Sequence, residues 1–214
     1  MFKFAPEGFP FFLIFALVTI ITAFFGKPWM TVIPLVLLLF MLYFFRDPDR
    51  ITPENKDIFY SPADGKIILI KEAEENELLN SRALEVSIFM SPLNVHVNRF
   101  PCDGVVKAVK HFSGRFLAAF KEESSLSNEH ITMLLETKHG GIVLRQVAGF
   151  LARRAVCRVK SGDSLKQGQR YGIIKFSSRV DVFLPLNTEI KVKLNDKVRA
   201  GESILGIIEK MAQS

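Results

Sequence analysis

Two stretches near the end of the chain, VKSGDSLKQGQRYGII at residues 159–174 and VKLNDKVRAGESILGII at 192–208, carry one pattern twice. In each, a β-prone run meets Gly-Asp or Asn-Asp, then a basic residue, a glycine and a second run ending Gly-Ile-Ile. Asp163 and Asp196 stand 33 positions apart, and so do Gly168 and Gly201. Gly, Asn and Asp suit tight turns because they tolerate left-handed backbone or bond their own main chain. The repeat predicts antiparallel hairpins.

Working outward, short β-prone runs alternate with Gly, Pro, Asn and Asp from residue 51 onward. The candidate strands are 66–71, 83–90, 104–111, 130–137, 141–149, 154–159, 170–175, 179–183 and 189–194; residues 116–123 read as a helix or a long loop. Spacings near ten residues, with no amphipathic helix between, argue for an antiparallel sandwich or barrel and against a parallel α/β sheet. The fold class is therefore mainly β, and the duplicated hairpins look like those of biotinyl and lipoyl domains. A carrier domain of that kind would show its lysine in a Met-Lys-Met-like turn, which Lys175 in Ile-Ile-Lys-Phe does not match.

The other end of the chain has a different character. Phe9–Phe25 and residues 29–45 are uncharged apolar runs of seventeen residues each, separated by Gly26-Lys27-Pro28. Each just reaches the length that spans a bilayer, and Gly-Lys-Pro suits a turn between them. A helical hairpin over residues 1–50, anchoring a domain at 51–214, fits better than a cleaved signal peptide, whose apolar region is shorter and ends at a small-residue site. Lys3 before the hairpin and Arg46 after it place both ends on the cytoplasmic side, with Lys27 in the turn as the one dissenting charge.

Composition narrows the function. The chain has 214 residues, 49% hydrophobic and 23% charged, which excludes global disorder. Cys102 and Cys157 are too few for a disulfide scaffold, and neither has a CxxC partner for a metal. Of the net charge of +6, residues 1–45 hold only one unit, so the β domain is the basic part. Behind a membrane anchor, a basic domain points to an acidic lipid surface and not to nucleic acid.

Three segments hold chemistry: Ser61-Pro-Ala-Asp64-Gly65-Lys66, Asn94-Val-His96-Val-Asn98-Arg-Phe-Pro101 and Lys175-Phe-Ser177-Ser178-Arg179-Val-Asp181. They supply the carboxylate, imidazole and hydroxyl that activate a serine oxygen. Each also has a plain structural reading: Asp64-Gly65 as a turn, His96 as a solvated strand residue between two valines, and Ser177-Ser178 as a β-turn.

The segments PADGK, NVHVNRFP, HFSGRFLAAFKEESSLSNEH, RQVAGFLARR and IIKFSSRVDVFLP, in that order behind an apolar start, resemble the short form of the phosphatidylserine decarboxylase family. The resemblance covers nearly all of residues 1–185 and is most specific in FxSRVDVFLP and SGRF…NE. It implies a membrane-bound proenzyme that cuts itself between Ser177 and Ser178 and turns Ser178 into a covalent pyruvoyl cofactor. His96 would be the base for Ser178, and Asp64 would orient or charge-balance that imidazole. The pyruvoyl ketone would accept the electrons released with CO2 from phosphatidylserine, giving phosphatidylethanolamine. The resemblance further implies a homodimer of large and small chains that stay associated, with Asn128, Glu129, Arg145 and Gln146 as candidates for the pocket or the dimer contact. It implies no metal.

Two departures stand out. The family's cleavage pair is Gly-Ser, whereas this chain has Ser177-Ser178, and a Cβ at the first position hinders the acyl shift. Longer members carry His-x-x-His where this chain has His96 and Arg99. Three other readings stay open: the same chemistry on an archaeal ether serine lipid, a membrane-tethered serine hydrolase, and a non-enzymatic membrane scaffold. The absence of G-x-S-x-G counts against the hydrolase.

Overall fold

The computed structural model describes residues 3–114, 124–149, 154–176 and 178–208. The chain divides into two compact units, residues 1–49 and 50–214.

The first unit is a helical hairpin. A 3-10 turn at Pro6–Gly8 runs into α1 (Phe9–Phe25), and α2 (Pro28–Phe44) follows the Gly26-Lys27 turn. Pro28 opens α2 at the first helical position, where a missing N–H costs nothing. Pro6–Phe25 spans 20 residues with a mean hydropathy of 2.3, long and apolar enough to cross a membrane by length and composition, and α2 is a shorter apolar helix. Leu13, Leu17, Phe24, Phe25, Trp29 and Ile33 all face outward. Apolar surface on that scale suits membrane association. The hairpin's open end is tied by Ala5 N–H to Phe45 O at 2.8 Å, Asp47 N–H to Lys3 O at 2.7 Å and a Lys3–Asp49 ion pair at 2.9 Å.

The second unit is built of antiparallel strands: β1 (Ile58–Tyr60), β2 (Gly65–Glu75), β3 (Ser81–Met90), β4 (Val97–Arg99), β5 (Gly104–Phe112), β6 (His130–Thr137) and β7 (Gly140–Ala148). They continue as β8 (Ala155–Cys157), β9 (Ser164–Leu165), β10 (Arg170–Ile174), β11 (Ser178–Leu184), β12 (Thr188–Ile190), β13 (Lys197–Val198) and β14 (Ile204–Ile208), with one helical turn, α3 (Ser124–Ser127), before β6. Eight strands form a curled sheet in the order β13-β2-β3-β11-β7-β6-β5-β9, and two three-stranded sheets run β1-β14-β12 and β4-β10-β8. The mainly β, antiparallel, barrel-like expectation is met. β2 outruns its expected end because Lys71–Glu75 alternate outward on a ribbon paired only with β3. The expected strand at 189–194 shrinks to Thr188–Ile190, and the helix-or-loop stretch 116–123 lies outside the described residues.

The sequence repeat is a structural repeat. Ile67 N–H reaches Asp196 O as Val106 N–H reaches Asp163 O, both at 2.9 Å; Asn195 N–H returns to Ile67 O as Gly162 N–H returns to Val106 O, both at 2.8 Å. Asn195 and Gly162 both sit at positive φ (76° and 95°), as do Gly201 and Gly168 (72° and 78°), the left-handed turns that Gly, Asn and Asp announced. The two copies interlock. Tyr60 N–H donates to Pro101 O, and Arg99 N–H donates to Pro62 O, each at 2.9 Å. The equivalence extends to Pro62-Ala-Asp64-Gly65 and Pro101-Cys-Asp103-Gly104, a second repeat at the entries to β2 and β5.

Alternation along β11 separates two faces of the large sheet. Val180, Val182 and Leu184 enter the main core with Val86, Ile88, Met90, Leu144 and Ala148. Arg179, Asp181 and Phe183 point to the other face, where they stay buried among charged partners.

Candidate active site

Ser178 is the first residue of β11, fully buried, with Met90 opposite it on β3 and Ala148 opposite on β7. Its Oγ donates to the Met90 Sδ at 3.4 Å. The same sulfur accepts from Asn98 Nδ2 at 3.8 Å, and Asn98 Oδ1 accepts from Gln146 Nε2 at 2.8 Å. Gly172 makes room for that amide: a Cβ there would lie 2.9 Å from Gln146 Nε2 and 2.3 Å from the Val156 carbonyl. Gln146 thus shares the face of Ser178. Asn98 and Met90 escaped the sequence reading because neither residue type carries chemistry by itself.

The backbone before Ser178 is constrained. Phe176 has φ of 58°, a left-handed conformation that a bulky residue rarely holds and that costs about 1–3 kcal/mol unless its surroundings enforce it. Ser177 lies outside the described residues. On the far side, Asn128 Nδ2 donates to Ala148 O at 2.7 Å while Ala148 N–H donates to Glu129 O at 2.9 Å. Asn128 and Glu129 therefore clamp the residue that pairs with Ser178, and the Glu129 carboxylate meets His111 at 3.3 Å.

His96 is buried immediately before β4, and its carbonyl accepts from Ile174 N–H at 3.4 Å, tying it to the strand that leads into Ser178. Its Nδ1 lies 3.0 Å from the Asn94 carbonyl. A carbonyl only accepts, so Nδ1 carries the hydrogen and Nε2 the lone pair. Arg99 donates to the Gly168 carbonyl at 2.9 Å beside the crossing of the two repeats.

Asp64 closes a turn. Its carboxylate takes both Arg50 guanidinium nitrogens, at 2.5 and 2.8 Å, and the Ala200 N–H at 2.8 Å. Its hydrogen bonds among the described residues go to these two partners and not to His96. Arg50 also donates to the Ala200 carbonyl at 2.7 Å.

Arg145 belongs to the opposite face. It donates to Glu75 and Glu77 at 2.8 and 2.9 Å, to Thr132 and Ser125 at 3.2 Å, and lies over the Phe183 ring. Ser125 passes the network to Asp181 at 2.6 Å, Asp181 pairs with Arg179, and Arg179 reaches Glu85 and Ser87 at 3.1 and 2.8 Å. Burial and the neighbouring Asp181 charge push the Glu85 carboxyl upward against Arg179. His130 joins Glu77 at 2.8 Å to the Asn128 carbonyl at 2.6 Å. The network therefore ends on the clamp beside Ser178. A separate cavity of about 610 Å³, lined by Lys56, Asp103, Glu136, His139 and Lys166 among others, includes none of the residues around Ser178.

The site thus holds a buried serine at a strand start, two residues after a left-handed residue, and a buried histidine whose Nε2 carries the lone pair. The family model described as phosphatidylserine decarboxylase matches residues 37–206. The chain belongs to the phosphatidylserine decarboxylase family. Among its relatives, phosphatidylserine decarboxylase proenzymes of Syntrophus aciditrophicus and Geotalea uraniireducens are 45% and 44% identical, covering 94% and 95% of this chain and 96% of each relative. The proenzyme of Chlorobaculum tepidum is 45% identical over 90% of this chain and 91% of its own. Membership of this decarboxylase family makes the chain a carboxy-lyase.

Proposed function

We propose that the chain is a proenzyme whose Ser178 becomes the pyruvoyl group that decarboxylates phosphatidylserine to phosphatidylethanolamine at the membrane. The observation that carries this reading is Ser178 itself: buried at the first position of β11, two residues after the left-handed Phe176.

His96 Nε2 takes the Ser178 Oγ proton, and Oγ attacks the carbonyl carbon of residue 177. The new ester C–O bond replaces the 177–178 peptide C–N bond, freeing the Ser178 amine. Loss of the α-proton then expels the residue 177 carboxylate from Cβ, and water displaces ammonia to leave the ketone. The wall suits the product, because Met90 and Ala148 flank a Cβ that becomes a methyl group. The pyruvoyl ketone supplies the electron sink for CO2 loss. Gln146 and Asn98 hold the polar side of the site, while Asn128 and Glu129 fix the Ala148 strand end. Asp64 serves through position: Pro62, two residues before it, holds the N–H of Arg99 and with it the strand that follows His96. Ser177 in place of glycine slows the acyl shift by crowding the attacked carbonyl. Lys3 and Arg46 favour a cytoplasmic catalytic unit.

The test is the intact mass of the purified full chain beside Ser177→Gly and Ser178→Ala, with CO2 release from phosphatidylserine vesicles. Fragments of 177 and 37 residues, the smaller one carbonyl-reactive and blocked at its N-terminus, support the reading. An uncut Ser177→Gly form that is inhibited and labelled by a serine-reactive phosphonate would hand the site to the hydrolase reading.

A further inference from the structure

Resting on that reading, we infer that Leu93 and Leu126 form a membrane-docking rim around Ser178, inserting into the bilayer surface so that the headgroup enters the site while the lipid tails stay in the membrane.

The placement follows from register. Met90 ends β3, Ala148 ends β7, His130 begins β6 and Ser178 begins β11, so all four lie at one end of the large sheet. Leu93 follows Met90 by three residues. Leu126 precedes by two the Asn128 that clamps Ala148. Both leucines are exposed, at 63% and 65%.

Neither exposure is an accident of a loose loop. Leu93 sits in Ser91-Pro92-Leu93-Asn94, a turn closed by Asn94 N–H to Ser91 O at 2.9 Å and by Asn94 Oδ1, which accepts the Ser91 N–H and Oγ–H at 2.9 and 2.8 Å. A turn so well closed by polar groups ordinarily carries a polar tip. Leu126 stands beside Ser125, whose hydroxyl is fixed on Asp181 and Arg145. The fold holds each leucine outward from a hydrogen-bonded neighbour.

Charge at this end selects the occupant. Lys175 precedes Ser178 by three residues, and its N–H donates to the carbonyl of exposed Arg154 at 3.2 Å. Exposed leucines that neighbour Met90 and Asn128 in the chain and basic residues that neighbour Ser178, on a unit that carries most of the chain's positive charge, match an anionic lipid surface. Leu186, also exposed, follows β11 at its opposite end and makes an internal control.

The experiment uses the full chain with its single tryptophan removed (Trp29→Phe), reconstituted in vesicles of phosphatidylglycerol and phosphatidylcholine. One tryptophan is placed back at a time as Leu93→Trp, Leu126→Trp or Leu186→Trp, each with a thermal melt matching the parent. Brominated phosphatidylcholine should quench the first two by about half and leave the third near its lipid-free intensity. No quenching at Leu93→Trp or Leu126→Trp, quenching at only one of them, or equal quenching at all three overturns the rim. Protection of both positions together with disulfide capture between two Leu93→Cys chains would assign this end to a dimer instead, and also overturns it. Quenching does not depend on turnover. An uncut, inactive chain with the expected quenching therefore sinks the decarboxylase reading alone, and an active chain without it sinks the rim alone.

Discussion

Asp64 and Asp103 perform one backbone task in two copies of the same turn: each accepts the N–H of the residue before a left-handed glycine, Ala200 before Gly201 and Gln167 before Gly168, at 2.8 and 2.9 Å. Their counter-charges differ. Asp64 is gripped at both oxygens by a buried arginine, Arg50, whereas Asp103 meets Lys166 at 3.0 Å on the surface.

The two aspartates should therefore respond differently to substitution. Asp103→Asn keeps an oxygen for Gln167 and loses an exposed pair worth at most about 1 kcal/mol. Arg50→Ala leaves the buried Asp64 carboxylate without its arginine, at about 3–5 kcal/mol, and Asp64→Asn, which leaves Arg50 facing the more distant Glu202 at 3.8 Å, should still cost more than Asp103→Asn. Thermal unfolding of the Ser178→Ala proenzyme carrying each change measures the contrast. Equal losses at the two aspartates would show that Arg50 adds nothing beyond the shared turn.

Much of this was legible beforehand, and the misses have physical causes. The hairpin repeat could be read because left-handed turns demand Gly, Asn or Asp, and four such turns fall where the pattern put them. The apolar runs announced α1 and α2 by length alone. Strands β1, β4, β9 and β13 escaped because two- and three-residue strands exist only through their partners. Pro62-Ala-Asp-Gly and Pro101-Cys-Asp-Gly are a second repeat, four residues long and therefore too short to signal a structural equivalence before the strands that follow them are seen. Asn128 bonds the carbonyl of Ala148, which pairs with Ser178, and Gln146 lies two residues before Ala148 on the same face, but Arg145 lies one strand position away from Gln146 and so faces the other side of the sheet.

Asn98→Ala should cost stability through the group it abandons. Gln146 Nε2 would be a buried donor without an acceptor, a loss of about 1–3 kcal/mol. Replacing both members, Asn98→Ala with Gln146→Leu, should recover part of that loss, because no orphaned donor remains. Denaturant unfolding of the four combinations in the Ser178→Ala background reads the coupling. Strict additivity would mean the two amides do not depend on each other.

The buried network gives the proenzyme an acid limb. Burial pushes the Glu77 carboxyl up, but hydrogen bonds from His130 and Thr132 and the Arg145 and His130 charges overcome it and bring the value from 4.5 down to about 2. A carboxyl depressed in the folded state stabilises fully above its unfolded value and loses that contribution as pH falls toward the folded one. Stability should fall between about pH 4.5 and 2, and Glu77→Gln should start lower and show a shallower slope there. Melting temperatures across that window, wild type against variant, check the sign.

Both thiols should be slow. Burial first, and the Asp103 charge second, push Cys102 up to about 12, and burial raises Cys157 as well. At pH 8 the thiolate that reacts would be at least a hundredfold scarcer at Cys102 than in an ordinary cysteine. A chromogenic disulfide should label Cys102 only after denaturant is added, and rapid labelling in the native protein would contradict its burial.

The left-handed Phe176 provides the sharpest test of how the chain uses strain. Glycine accepts φ of 58° freely, whereas any residue with a Cβ pays about 1–2 kcal/mol. Comparing Phe176→Gly with Phe176→Ala removes the aromatic ring from both and leaves the backbone preference as the difference. The glycine form should be the more stable by about 1 kcal/mol in the uncut Ser178→Ala background. If the strain at 176 drives Ser178 toward the neighbouring carbonyl, the glycine form with Ser178 restored should cut itself more slowly than the alanine form, despite its greater stability. A glycine form that is both more stable and faster would show that the left-handed turn is only a path the chain must follow.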